Sequence, residues 1–199
     1  MSPIADRYRK HADAFEAKVA GTAPDDWERP SPCEGWTARD VVRHIVDMHA
    51  VMVRPLGRQL SPAPSVDEDP LSAFRAARGD VEGLLDNNEV AVSEITSPAG
   101  SMTVENHVDR VVSDDMVLHG WDLARATNQD DTMDQDDVER IWAGTSALPP
   151  QMLEQMRTPG AFGPGVVVFG PEVKVSSEAP LQERLLGMIG RDPHWRPGS

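Results

Sequence analysis

One cysteine in 199 residues, Cys33, is too few for an intrachain disulfide or a cysteine-rich zinc cage. Basic residues are scarce as well: 19 Lys and Arg stand against 33 Asp and Glu, a formal net charge of −14. A surface that acidic repels phosphate backbones and anionic lipid, so neither nucleic acid nor a membrane is an expected partner. No apolar run reaches the roughly 18 residues that a membrane-spanning helix needs. The opening stretch MSPIADRYRKHADAFEAK is charged and amphipathic and has no apolar signal core, so a cytoplasmic location is expected. No repeat of about 20–50 residues is present. What remains is an ordinary globular composition, 39 % hydrophobic and 26 % charged, long enough for one compact domain with a sizeable core.

The periodicity is mainly helical. Ile4, Tyr8, Ala12, Phe15 and Val19 predict an amphipathic first helix over 3–20, and the turn formers of 21–36 a loop. Thr37-Ala-Arg-Asp40 has the spacing of a capping box, hydroxyl at the N-cap and carboxylate at N3. It opens a second helix with Val41, Ile45, Met48 and Met52 as its stripe, ended or kinked by Pro55. After a second loop at 61–70, Leu71, Phe74, Val81, Leu84 and Leu85 predict a third helix, weakened by Gly79 and Gly83. Val104, Val108, Val111 and Leu118 predict the fourth and strongest, running to about Thr127. Residues 135–157 read as helical with a break at Leu148-Pro149-Pro150.

The tail differs. The β-branched run and Gly-Pro turns of 159–177 predict a hairpin or strand pair, and 179–192 a short terminal helix stopped by Gly190. The glycines of GPGVVVFGP lack the strand–loop–helix context of a phosphate cradle. The expected architecture is a helical bundle over 1–158 with a small αβ appendage over 159–199, together one structural unit.

The stretch SDDMVLHGWDLARATN, residues 113–128, carries the chemistry. At about 100° per residue, Asp115 and His119 lie about 40° apart and Asp122 about 20° to the other side, all continuing the Val104–Val108–Val111 line. Burying unpaired charges costs several kcal/mol, so partners or an ion must meet them. Positions four apart can reach one ion, and a carboxylate with an imidazole suits Zn²⁺ or another divalent metal. A third ligand has to come from elsewhere, and His44, flanked by Val41, Ile45 and Met48, is the candidate. The other reading is a hydrogen-bonded network without metal. Asp122 reads as a buried acceptor or a partner of Arg125, and Asp40 is explained by its cap. His11 and His49 are poorly aligned with the cluster, and His107 and His194 have no supporting pattern. Cys33, with no histidine near it in sequence, reads as a small buried hydrophobe. Trp36 and Trp121 read as helix staples, or as pocket walls.

Three segments, SPCEGWTARDVVRHIV (31–46), DMVLHGWDLARATNQD (115–130) and APLQERLLGMIGRDPHW (179–195), resemble signatures of a bacterial family. It is the mycothiol-dependent maleylpyruvate isomerase N-terminal family, within the DinB/YfiT-like metalloenzyme superfamily. The resemblance implies a mainly α fold, a DinB/YfiT-like four-helix bundle holding one divalent metal. By position, the implied ligands are His44, Asp115 and His119, although the isomerase uses Glu where this chain has Asp115. Zinc is the first expected metal and nickel the second, with mycothiol as co-substrate.

The implied chemistry is thiol-dependent isomerisation or S-transfer on a small electrophile. In the isomerase, thiolate adds to the cis double bond of maleylpyruvate, the new single bond rotates, and loss of the thiol leaves the trans product. Arg125 is the nearest basic candidate for a substrate carboxylate, or else forms an outward salt bridge. The isomerase has a more extensive C-terminal domain than the roughly forty residues after Gly160, so its substrate contacts do not carry over. The alternative is a metal-binding or sensor bundle without thiol transfer. Relatives of the DinB type are often dimers, which leaves a homodimer open.

Overall fold

The computed structural model describes residues 2–97, 100–162 and 166–197. The chain is mainly helical, and its contacts group it into two compact units, one running to Asp131 and one spanning Thr132–Pro197. In the second unit α7 (Gln135–Ser146), which buries Val138 and Ile141, packs with α9 (Leu181–Met188), which buries Leu185 and Leu186.

In the first unit, α1 (Pro3–Ala20) starts where Ser2 accepts a hydrogen bond from the Ala5 amide and Pro3 supplies a preset φ. It buries Tyr8, Ala12, Phe15 and Val19, four of the five stripe residues. The helix α2 (Ala38–Val53) opens on the predicted capping box: Asp40 accepts from the Thr37 amide and hydroxyl, and the Thr37 hydroxyl oxygen accepts from the Asp40 amide. A short 3₁₀ turn at Arg54–Leu56 ends it at the expected proline. Asp69 and Pro70 start α3 (Pro70–Asp86), whose Gly79 and Gly83 are solvent-facing and leave the buried stripe intact.

A one-turn helix α4 (Asn88–Ala91) and a hairpin follow, neither expected from the sequence. Strands β1 (Glu94–Ser97) and β2 (Gly100–Thr103) pair antiparallel, Ile95 opposite Met102. The hairpin is too short for an alternating apolar pattern to announce it.

The predicted fourth helix is divided. α5 (Val104–Val108) passes into a π turn at Asp109–Ser113 and then α6 (Asp114–Thr127). A π turn adds a residue to the helical repeat, and it moves the buried line from the expected Val111 to Val112, which is fully buried. Two residues of α1 clamp it. Arg7 makes a two-pronged ion pair with Asp109, both contacts 2.8 Å, and His11 Nδ1 lies 2.8 Å from the Ser113 hydroxyl. Asn128, at φ 57°, closes α6 in the left-handed region that asparagine tolerates.

α1 packs against α3 and α6, and α2 packs against the same two. Tyr8, Phe15, Ile45, Met52, Phe74, Leu84, Val108, Val112, Met116 and Leu123 belong to one core, with the Phe15 and Phe74 rings 5.1 Å apart. Each such side chain contributes about 1.5–3 kcal/mol through burial. Among the described residues, no helix is long and apolar enough to cross a membrane.

In the second unit, Asp134 caps α7 through the Asp136 and Asp137 amides, and α8 (Pro150–Arg157) resumes after the expected break. The expected strand pair over 159–177 is a correction: none of its described residues is in a strand, and 163–165 lie outside the described residues. The backbone there bonds to helix ends instead, Phe169 N to Met156 O, Gly170 N to Ile189 O and Val173 N to Gly187 O. Val166, Val167 and Val168 are exposed, so the β-branched run has no apolar layer to cover. Among its described residues the tail is therefore helix and extended chain. Gly190 ends the terminal helix at φ 87°, where an added Cβ would lie 2.4 Å from the Gly170 carbonyl carbon.

Candidate metal centre

Local geometry delivers each site residue. The chain from Pro30 to Thr37 closes on itself through a backbone bridge between those two residues, with Gly35 at φ 76° in the left-handed region. Ser31 N donates to Trp36 O at 2.8 Å and Trp36 N to Cys33 O at 3.0 Å. This knot presents Cys33 and Trp36 to α6. The capping box at its end sets the start of α2, and His44 follows two turns later. Asp40 is committed to that cap: burial would raise its pKa, but Thr37 and Arg43 outweigh burial and hold it below the usual value.

His44 Nε2 lies 2.9 Å from Asp115 Oδ2, and His119 Nε2 lies 3.5 Å from the other oxygen of the same carboxylate. The imidazoles meet edge to face at 4.7 Å. One donor atom from each of His44, Asp115 and His119 falls within 4.8 Å of the others, so the three residues singled out in the sequence do come together. Their donor chemistry and spacing fit a small divalent ion. Bonds of about 2.1 Å at tetrahedral angles put ligand atoms about 3.4 Å apart, between the 2.9 and 3.5 Å found here.

The opposite edge of His119 faces Asp122, with Nδ1 to Oδ2 at 2.8 Å. Asp122 is 0 % exposed. A carboxylate accepting from Nδ1–H selects the tautomer that leaves the Nε2 lone pair free toward His44 and Asp115, which is how metal-binding histidines are commonly oriented. Trp36 completes the wall, stacked on His119 at 5.7 Å and tilted against His44 at 5.0 Å. The site keeps an open side: the His44 and Asp115 side chains retain 29 % and 23 % of their surface, against 8 % for His119.

One expectation changes. Cys33 is not merely a small hydrophobe, since its thiol lies 3.2 Å from Asp122 Oδ2 and 3.9 Å from His119 Nδ1. Cys33, His119 and Asp122 form a second group of potential ligands. No spacing in the sequence links position 33 to position 122, so only folding could reveal it. Asp122 is a buried acceptor, one of the two readings open to it, while Arg125 pairs with Asp131 at 2.7 Å and lies over Trp121 at 5.3 Å. The outward salt bridge is thus the role Arg125 fills.

The remaining histidines lie outside the donor groups. His11 is the π-turn clamp, His49 is sealed in the core, and His194 is exposed. His107 is buried, and burial lowers its pKa.

Comparison with known proteins places the chain in a family. The family model described as the mycothiol maleylpyruvate isomerase N-terminal domain matches residues 8–124, a span that holds His44, Asp115, His119, Cys33 and Asp122. Two Mycobacterium tuberculosis proteins, uncharacterized protein Rv0738 of strain H37Rv and uncharacterized protein MT0763 of strain CDC 1551, are each 27 % identical over 192 residues, covering 96 % of this chain and 98 % of theirs. No solved structure matches the chain. With most of its first unit covered by one family model, the chain belongs to the mycothiol maleylpyruvate isomerase N-terminal domain family.

Proposed function

We propose that this protein binds one divalent metal through His44, Asp115 and His119 and acts as a thiol-dependent isomerase or S-transferase on a small electrophile. α1, α2, α3 and the α5–α6 run are read as a DinB/YfiT-like four-helix bundle carrying the site. The observation that carries the proposal is the convergence of two Nε2 atoms on one carboxylate, with Asp122 on the far side of His119. The N₂O donor set favours zinc, then nickel.

A bound divalent ion with an open position supplies one thing, a site where a thiol loses its proton near neutral pH. The chain's own residues do the rest. Asp122 holds the His119 proton at Nδ1, Trp36 keeps water from one face of both rings, and the exposed edges of His44 and Asp115 border the opening. The co-substrate is a low-molecular-weight thiol, mycothiol in the family's name. Its sulfur bonds to the electrophilic carbon. Either the π pair of the attacked C=C bond shifts onto the activating carbonyl, the adduct rotates about that carbon–carbon bond, now single, and the pair returns to re-form the double bond as thiolate leaves, or a leaving group departs with its bonding electron pair.

The test is metal content by mass spectrometry on tag-free protein, with His44→Ala and His119→Ala beside the wild type. The expected result is one divalent ion per wild-type chain and neither nickel nor manganese in either variant after incubation with them, with helical circular dichroism preserved in all three. A wild type that stays empty after incubation with zinc, nickel and manganese overturns the proposal. Metal without thiol-dependent turnover reduces it to a metal-binding or sensor protein.

A further inference from the structure

His119 stands between two carboxylates, Asp115 at 3.5 Å from Nε2 and Asp122 at 2.8 Å from Nδ1. Either tautomer of the ring therefore finds an acceptor for its proton, and either nitrogen can offer its lone pair. On the Nδ1 side the neighbouring donor is sulfur. Cys33 Sγ is 3.2 Å from Asp122 Oδ2, and one donor from each of Cys33, Asp122 and His119 lies within 4.8 Å of the others. Asp122 is fully buried and Cys33 half-buried. The Cys33 thiol donates to Asp122 in this structure; once ionised, the thiolate and the carboxylate repel one another unless a cation lies between them. Sulfur, nitrogen and oxygen together suit a thiophilic d¹⁰ ion rather than a hard one.

We propose that Cys33, Asp122 and His119 Nδ1 bind a thiophilic d¹⁰ cation, and that this set and the His44–Asp115–His119 set exclude one another. A neutral imidazole has one lone pair to give. When Nδ1 takes the ion, the ring proton moves to Nε2, faces Asp115, and His119 is lost to the other set. Binding replaces the Cys33 thiol proton, which leaves to solvent, and no electrons are transferred. The exclusion rests on the metal reading of His44, Asp115 and His119, whereas the thiolate site stands without it.

The experiment titrates Cd²⁺ into reduced, metal-free, full-length protein and follows the ultraviolet thiolate-to-cadmium charge-transfer band in wild type, Cys33→Ser and His44→Ala. The band should saturate at one ion per chain in wild type and in His44→Ala, and be absent from Cys33→Ser. In protein preloaded with Co²⁺, Cd²⁺ should expel cobalt from wild type at about a tenfold lower concentration than from Cys33→Ser, as sulfur preference predicts. Cadmium bound to wild type without a thiolate band overturns the site, as does saturation at half an ion per chain, which would mean sulfur bridging between copies. A band with cobalt retained overturns the exclusion alone. Failure of Cys33→Ser to bind Co²⁺ or Zn²⁺, with its circular dichroism unchanged, overturns the His44 set and leaves the thiolate result standing.

Discussion

His44 and His49 stand five residues apart on α2, and their surroundings are opposite in kind. His49 is 0 % exposed; its Nδ1–H donates to the Ile45 carbonyl at 2.7 Å, which leaves Nε2 to accept from the Tyr8 hydroxyl at 2.8 Å. Tyr8 and Phe74 meet its ring edge on. Both nitrogens are used up by neutral partners, so nothing is left for an ion. Burial drives its pKa from 6.5 down to about 4, against the upward pulls of the Ile45 bond and the Asp115 charge. His44 is part-exposed and meets a carboxylate and a second imidazole. One histidine seals the core and the other opens a site, and their partners decide which.

The sharpest way to break that contrast is to delete each ring in turn. His44→Ala should abolish stoichiometric Co²⁺ binding while changing the unfolding free energy of the metal-free protein by less than about 1 kcal/mol. His49→Ala should keep its metal and lose about 2–4 kcal/mol, from the cavity and from a Tyr8 hydroxyl left without its nearest partner. Metal analysis and urea unfolding on both variants check the pair, and a reversed pattern would refute the comparison.

The pH dependence sharpens it further. Between pH 6.5 and about 4 the unfolded chain protonates position 49 and the folded chain does not. Stability therefore falls as pH drops through that window, by up to about 3 kcal/mol from this group. Urea unfolding at several pH values, wild type against His49→Leu, isolates the contribution; equal slopes would show that His49 titrates normally in the fold.

On the other side of the contrast, Asp122→Asn keeps the shape and removes the charge facing His119 Nδ1. Metal affinity should fall about 10–100-fold, read by competition with a chelator, as loss of a ligand's supporting carboxylate typically does. Unchanged affinity would strip Asp122 of its orienting role. The smallest effect belongs to Tyr8→Phe, about 1 kcal/mol lost with metal content unaltered.

The long helices were legible because their causes are local. Thr37 and Asp40, or Asp69 and Pro70, act within one turn, and the stripes of α1 and α3 need only their own periodicity. The π turn was not legible, since it depends on Arg7 and His11 reaching Asp109 and Ser113, 102 positions away. The strand pair expected around Val166–Val168 failed for a related reason: β-branched residues make a strand only where a partner edge and an apolar layer are present. His44, Asp115 and His119 were visible as a pattern on two helices, whereas Cys33 was set aside because its partners are 86 and 89 positions distant.

By itself the sequence determined where α1, α2 and α3 begin and end, which face of each is apolar, and that Asp115 and His119 share one face of α6. Those outcomes rest on contacts between residues three or four apart, which order along the chain already specifies. Only the tertiary structure decided which polar side chains would meet: His44 with Asp115, Cys33 with Asp122, His49 with Tyr8. Such meetings depend on how separate segments pack, and packing follows the summed burial of many apolar side chains. The polar partners are carried to one another by forces that leave no periodic mark at their own positions.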